Sequence, residues 1–100
     1  MYIKSVRFVW DSGKARRNSI KHGVGFKEAA TAFDDPEGLL ADDEEHSGEE
    51  PRQWLIGESA KGRVLVAVFT IRDRDIRIII ARPAEVEERR QYEENRNIPL

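Results

Sequence analysis

RVLVAVFTIRDRDIRIIIAR, residues 63–82, decides the fold. Val64, Val66 and Val68 alternate with Leu65, Ala67 and Phe69, so residues 63–71 are apolar on both faces. A strand with that pattern is covered on both sides, as a central strand is. Residues 72–74 turn the chain, and the isoleucine-rich run 75–82 reads as the next strand. Upstream, residues 52–58 place Trp54 and Ile56 on one face of a strand, and a turn at 59–62 follows. Three strands joined by short turns make an antiparallel meander.

Outward from this centre, residues 2–10 read as a first strand with Val6, Phe8 and Trp10 on its buried face. Asp11 or Ser12 caps a helix that runs to about His22, where Gly23 supplies a left-handed stop. A second helix spans 26–33, because Phe26, Ala29, Ala30 and Phe33 recur at helical spacing. Asp35-Pro36 ends it. Residues 38–42 read as a short strand and 43–51 as an exposed acidic loop. Pro83 suits the first turn of a last helix over 84–95, whose apolar surface is little more than Val86 and Tyr92. The expected class is α+β: a small antiparallel sheet made of the meander plus an N-terminal strand, with two N-terminal helices and one C-terminal helix, in a single domain over 1–100.

Composition narrows the function classes. Apolar residues make up 39% and charged residues 36%, enough for one modest core. No apolar run approaches the roughly 20 residues of a membrane-spanning helix, and the first residues lack a signal peptide's apolar stretch. There is no cysteine, which removes disulfides and thiolate metal ligands. A cytoplasmic protein is expected, with no membrane association. The net charge of −2 hides a segregation. Residues 1–32 carry seven Lys/Arg against two acids, 33–50 carry nine acids and no Lys/Arg, and 51–82 carry seven Lys/Arg against three acids. A basic face beside an acidic loop fits an anionic ligand.

Several residues invite chemistry. Arg77 interrupts an apolar strand and needs a partner or a polar cavity; the plainer alternative is an outward arginine on a short half-exposed face. Arg82 ends the same strand. Regular alternation puts the two on opposite faces, so a shared site requires a bulge or twist near Ala81. Lys21 and His22 end the first helix, where its dipole alone favours a cation. The functional reading makes His22 a proton donor or acceptor at neutral pH. His46 sits in the acidic loop, but it and His22 show no metal-ligand spacing, and neither a metal nor another cofactor is expected. Trp10 can stack on a base, although its alternation favours the core.

The ordered set Trp10-Asp11, Asn18-Ser19-Ile20-Lys21-His22-Gly23-Val24, Phe26, Ala29-Ala30, Phe33, Asp35-Pro36, His46-Ser47, Glu50, Arg52, Ile56-Gly57, Gly62-Arg63, Arg77-Ile78-Ile79, Ala81-Arg82, Ala84 and Glu88 resembles the BrnT toxins of bacterial type II toxin–antitoxin pairs. The resemblance implies a RelE-like fold and a ribonuclease that inhibits translation. It also implies a BrnA-like ribbon-helix-helix antitoxin, through which the pair reaches operator DNA. The chain departs from the family at Ile80, where serine is frequent, and at Pro83, where lysine is frequent. Metal-independent cleavage of RNA needs cations on the phosphate, a base for the 2′-hydroxyl and an acid for the leaving oxygen. Arg77 and Arg82 are the expected phosphate ligands, with His22 or Glu50 moving the proton. Lys21, Arg52 and Trp10 are expected to hold substrate. The rival reading is a non-catalytic module that binds RNA or antitoxin as a co-repressor.

Overall fold

The computed structural model describes residues 6–45, 48 and 50–96. Nine elements follow in order: β1 (Arg7–Val9), α1 (Ser12–His22), α2 (Phe26–Thr31), a 3-10 turn (Ala32–Asp34), β2 (Leu39–Asp42), β3 (Gln53–Glu58), β4 (Val64–Arg72), β5 (Asp75–Pro83) and α3 (Val86–Arg96). The strands form one sheet ordered β1-β5-β4-β3-β2. The meander β3-β4-β5 is antiparallel, with β4 at its centre, and β2 adds antiparallel to β3. The expected α+β class holds. One pairing corrects the wholly antiparallel sheet: β1 lies parallel to β5, through Arg7–Asp75, Phe8–Ile76 and Val9–Arg77.

The main core lies on one face of this sheet. Phe26, Ala29, Ala32 and Phe33 from the second helical segment pack on Leu55, Leu65, Ala67, Phe69, Ile76, Ile78 and Ala81. Phe8 and Trp10 border them, so the expected alternation in β1 holds over the described part. Aromatic rings interlock there: Phe33 stands edge-on to Phe69 at 4.9 Å, and Trp10 edge-on to Phe26 at 6.0 Å. Gly57 permits a close approach of the helical segment to β3. A β-carbon there would lie 2.8 Å from the carbonyl oxygen of Ala32.

The capping signals act as read. Asp11 accepts a hydrogen bond from the N–H of Lys14 at 2.8 Å, and Gly23 takes φ 68°. The last helix starts later than expected. Pro83 ends β5 opposite Leu65, and the N–H of Ala84 still donates to the carbonyl of Val64. Proline is tolerated there because its missing N–H would point to the strand's free edge. On its other side the sheet has only a small second core, in which Tyr92 of α3 covers Ile56 and Val66. Val86 is 73% exposed, so Tyr92 alone is the buried anchor of α3. No described helix is long and apolar enough to cross a membrane.

Asn18 explains how α1 meets the sheet. β1 pairs only with the first three residues of β5. Beyond it the edge of β5 would be bare, which leaves buried polar groups unsatisfied. Asn18 takes the place of the missing strand. Its Oδ1 accepts from the N–H of Ala81 at 3.1 Å, and its Nδ2 donates to the carbonyl of Ala81 at 2.7 Å. The same Nδ2 donates to the carbonyl of Val24 at 3.0 Å, which ties down the chain after Gly23.

Candidate functional site

The open face of the sheet is set by a bulge. Along β4, Val68 faces Ile80 but the next residue, Phe69, faces Ile78, so Ile79 has no partner. The extra residue reverses the alternation in β5. Ile76 and Ile78 before it and Ala81 after it all enter the main core. Arg77 and Arg82 therefore project on the same face, the one regular alternation denied them.

Neighbouring strands arrange that face in rows. Thr70 pairs with Arg77 at one end. Trp54, Val68 and Ile80 form the next row, and Ile56, Val66 and Arg82 the row beyond. The first end opens into a cavity of about 370 Å³ lined by Lys14, Gly48, Glu50, Arg52, Thr70, Arg72, Arg77 and Ile79. Four cations and one carboxylate from the described residues meet there. Lys14 reaches it from the first turn of α1, because that helix runs beside the free edge of β5.

These charges are unequally engaged. Glu50 receives two hydrogen bonds from Arg72, one of them 2.9 Å from Nε to Oε2. That guanidinium holds the Glu50 carboxyl below the ordinary carboxylate range, against a smaller opposing effect of desolvation; Arg77 adds to the lowering. Among the described residues, Arg77 itself makes no hydrogen bond or ion pair. It is a half-buried guanidinium aimed into a basic cavity. Thr70 is engaged with the carbonyl of Pro51 at 2.9 Å, which fixes the start of β3 beside the cavity.

Arg82 is differently placed. Its Nη1 and Nη2 bind the two oxygens of Glu88 at 2.7 and 2.8 Å, a forked pair. That hydrogen-bonded carboxylate raises the Arg82 pKa, and Arg82 lowers that of Glu88. Glu88 also accepts from the N–H of Glu85 at 2.8 Å, so one carboxylate caps α3 and ties it to β5. Arg82 lines a second cavity with Arg52 rather than the one that holds Arg77.

The structure thus brings together Arg77, Glu50 and Arg52, with Arg82 in the adjoining cavity. It adds Lys14 and Arg72, which lacked any motif to mark them. Lys21, His22 and Trp10 line neither cavity. Lys21 and His22 are the basic last turn of α1, and Trp10 packs on Phe26. His46 and Ser47 lie outside the described residues.

Comparison with known proteins agrees with this architecture. A crystal structure of the ribonuclease toxin BrnT from Brucella abortus superposes with a TM-score of 0.63. It covers 81% of this chain and 99% of that one at 19% sequence identity, so the likeness is one of fold. No curated protein matches the chain. The sequence model described as "Ribonuclease toxin, BrnT, of type II toxin-antitoxin system" matches residues 10–98. That match takes in the helices, the bulged strand and both cavities, and on it the chain belongs to the BrnT family of type II toxin–antitoxin systems.

Proposed function

We propose that the chain is an endoribonuclease whose scissile phosphate sits on Arg77, with Lys14 and Arg52 beside it. The observation that carries this is Arg77, a half-buried guanidinium without a described partner in a cavity of cations. Such a group is costly to bury unless an anion completes it, and its fork matches two phosphate oxygens. Cations of this kind stabilise the charge that develops on the phosphorane without a metal ion. Glu50 is the better placed of the two proton acceptors, since it shares the cavity with Arg77 and is ionised at neutral pH. It takes the proton of the 2′-hydroxyl, the 2′-oxygen attacks phosphorus, and the P–O5′ bond breaks to leave a 2′,3′-cyclic phosphate and a 5′-oxygen that takes a proton from water. His22 would have to act from outside the cavity. Arg82 serves first as the tether of α3.

The family supplies the setting. A toxin of a type II pair has an antitoxin partner, and we infer a BrnA-like ribbon-helix-helix protein that silences cleavage and carries the pair to operator DNA. Translation stops, on this reading, because cytoplasmic RNA is cut. Arg77→Ala tests the assignment: a variant that melts like the parent should lose RNA cleavage and growth arrest. Full activity in that variant would remove Arg77 from the mechanism.

One observation favours the rival, a module that binds without cutting. Glu50 and Arg82, two of the expected catalytic groups, are already paired with Arg72 and Glu88. Purified protein that binds RNA yet leaves it intact over hours would establish that reading instead.

A further inference from the structure

The basic cavity continues into an apolar one. Arg52 lines both, and the second encloses about 400 Å³ on the same sheet face, within the usual range of about 300–1,000 Å³ for ligand sites. Its floor is the row Trp54, Val68 and Ile80, drawn from three adjacent strands. Ile80 sits mid-strand yet is 38% exposed. The reason is the reach of α3. Tyr92 covers Ile56 and Val66 one row away, while Glu88 and Gln91 of α3 line the same cavity as Ile80 and leave it exposed. The Trp54 indole N–H donates to no described residue.

A half-buried indole, a half-buried valine and the exposed Ile80 thus line a cavity beside a cluster of arginines. The two rows are two residues apart along β3, about 7 Å, a separation comparable to the span of one nucleotide. We propose that this floor is a base subsite: an unpaired RNA base stacks on Trp54 while the adjacent phosphate sits on Arg77 and Lys14. The proposal rests on the ribonuclease reading above and gives it a substrate class, single-stranded RNA. Aromatic platforms beside cationic grooves suit single strands, whose bases are free to stack. A duplex keeps its bases paired and away from such a floor. The role expected of Trp10 passes to Trp54, since Trp10 is engaged with Phe26. The isoleucine at position 80, a departure from the family, completes the platform and supplies no polar group.

The test is fluorescence anisotropy with two labelled trinucleotides of equal charge. One is a 2′-O-methyl trinucleotide, which lacks the attacking hydroxyl. The other is abasic at its central position. The parent protein should bind the first about tenfold more tightly. Trp54→Leu should bring the ratio close to one and leave abasic binding unchanged, and Trp54→Phe should keep most of the preference. Equal affinity of the parent for both would overturn the subsite and leave the phosphate reading standing. Binding of neither would overturn both. A dimer that Trp54→Leu dissociates in sedimentation velocity would assign the floor to a second copy of the chain and overturn the subsite.

Discussion

Asn18→Ala should be among the most damaging single changes in the molecule, although the residue lines neither cavity described above. The Asn18 amide makes three hydrogen bonds, to Ala81 N–H, Ala81 C=O and Val24 C=O, and the residue is 8% exposed. Truncation leaves one backbone donor and two acceptors in an apolar setting. An unsatisfied buried donor costs about 1–3 kcal/mol, and carbonyls with a second lone pair cost less. Alanine returns at most about 0.7 kcal/mol through helix propensity. The net loss is about 2–4 kcal/mol against a total stability of about 5–15 kcal/mol. For a chain of this size that lowers the melting temperature by roughly 10–25 °C. Thermal melts by circular dichroism, with urea unfolding at 25 °C, measure it. Asn18→Asp should be worse at pH 7, because a carboxylate would face two carbonyl oxygens. A melting shift below about 3 °C for Asn18→Ala would refute the claim that this amide replaces a strand on the edge of β5.

Glu88→Gln should act in two directions at once. It frees Arg82, so RNA affinity and its salt dependence rise, while α3 loosens and the melting temperature falls; unchanged affinity would show that Arg82 stays out of reach of phosphate. Gly57→Ala should destabilise by about 1–3 kcal/mol in urea unfolding, since its β-carbon meets the Ala32 carbonyl at 2.8 Å and both segments are buried. Acid should weaken the fold through Asp35. Burial pushes that carboxyl up, but N–H donors from Glu58 and Glu37 and the Tyr92 hydroxyl outweigh it and hold its pKa below normal. A depressed pKa contributes stability above the unfolded value of about 3.9 and loses it as pH falls through the folded value. Melts from pH 7 to 3 should therefore decline below about pH 4, less steeply in Asp35→Asn. Cleavage, if it runs on arginines and Glu50, should persist in excess EDTA; its loss and rescue by a divalent cation would overturn the metal-independent mechanism.

Much of the frame was legible in the residues because it rests on local rules. The doubly apolar run Val64–Phe69 could only be a central strand, the Phe26–Phe33 stripe could only be a core face, and Asp11 and Gly23 bracket a helix by their own backbone preferences. One edge strand, β1, was seen as an element but its direction was not, since a three-residue ladder leaves no trace in periodicity. Pro83 misled for a related reason: a proline that lacks an N–H is equally at home in a helix's first turn and on a strand's free edge.

The sequence by itself determined the strands of the meander, the two N-terminal helices, the segregation of charge and, through the order of its motifs, the family. Tertiary structure alone decided the candidate site. Whether Arg77 and Arg82 share a face depends on Ile79 being left over in pairing with β4, a fact about two strands rather than one. Whether a cation is available depends on its neighbour: Glu88 engages Arg82, Glu50 engages Arg72, and Arg77 makes no ion pair with a described residue. Which tryptophan the proposed base subsite can use depends on how the two are packed: Trp10 sits edge-on to Phe26, while Trp54 lines the cavity beside Arg52. Alternation and capping act over a few residues and can be read in order. Register, pairing of charges and coverage join residues tens of positions apart, and only the folded chain sets them.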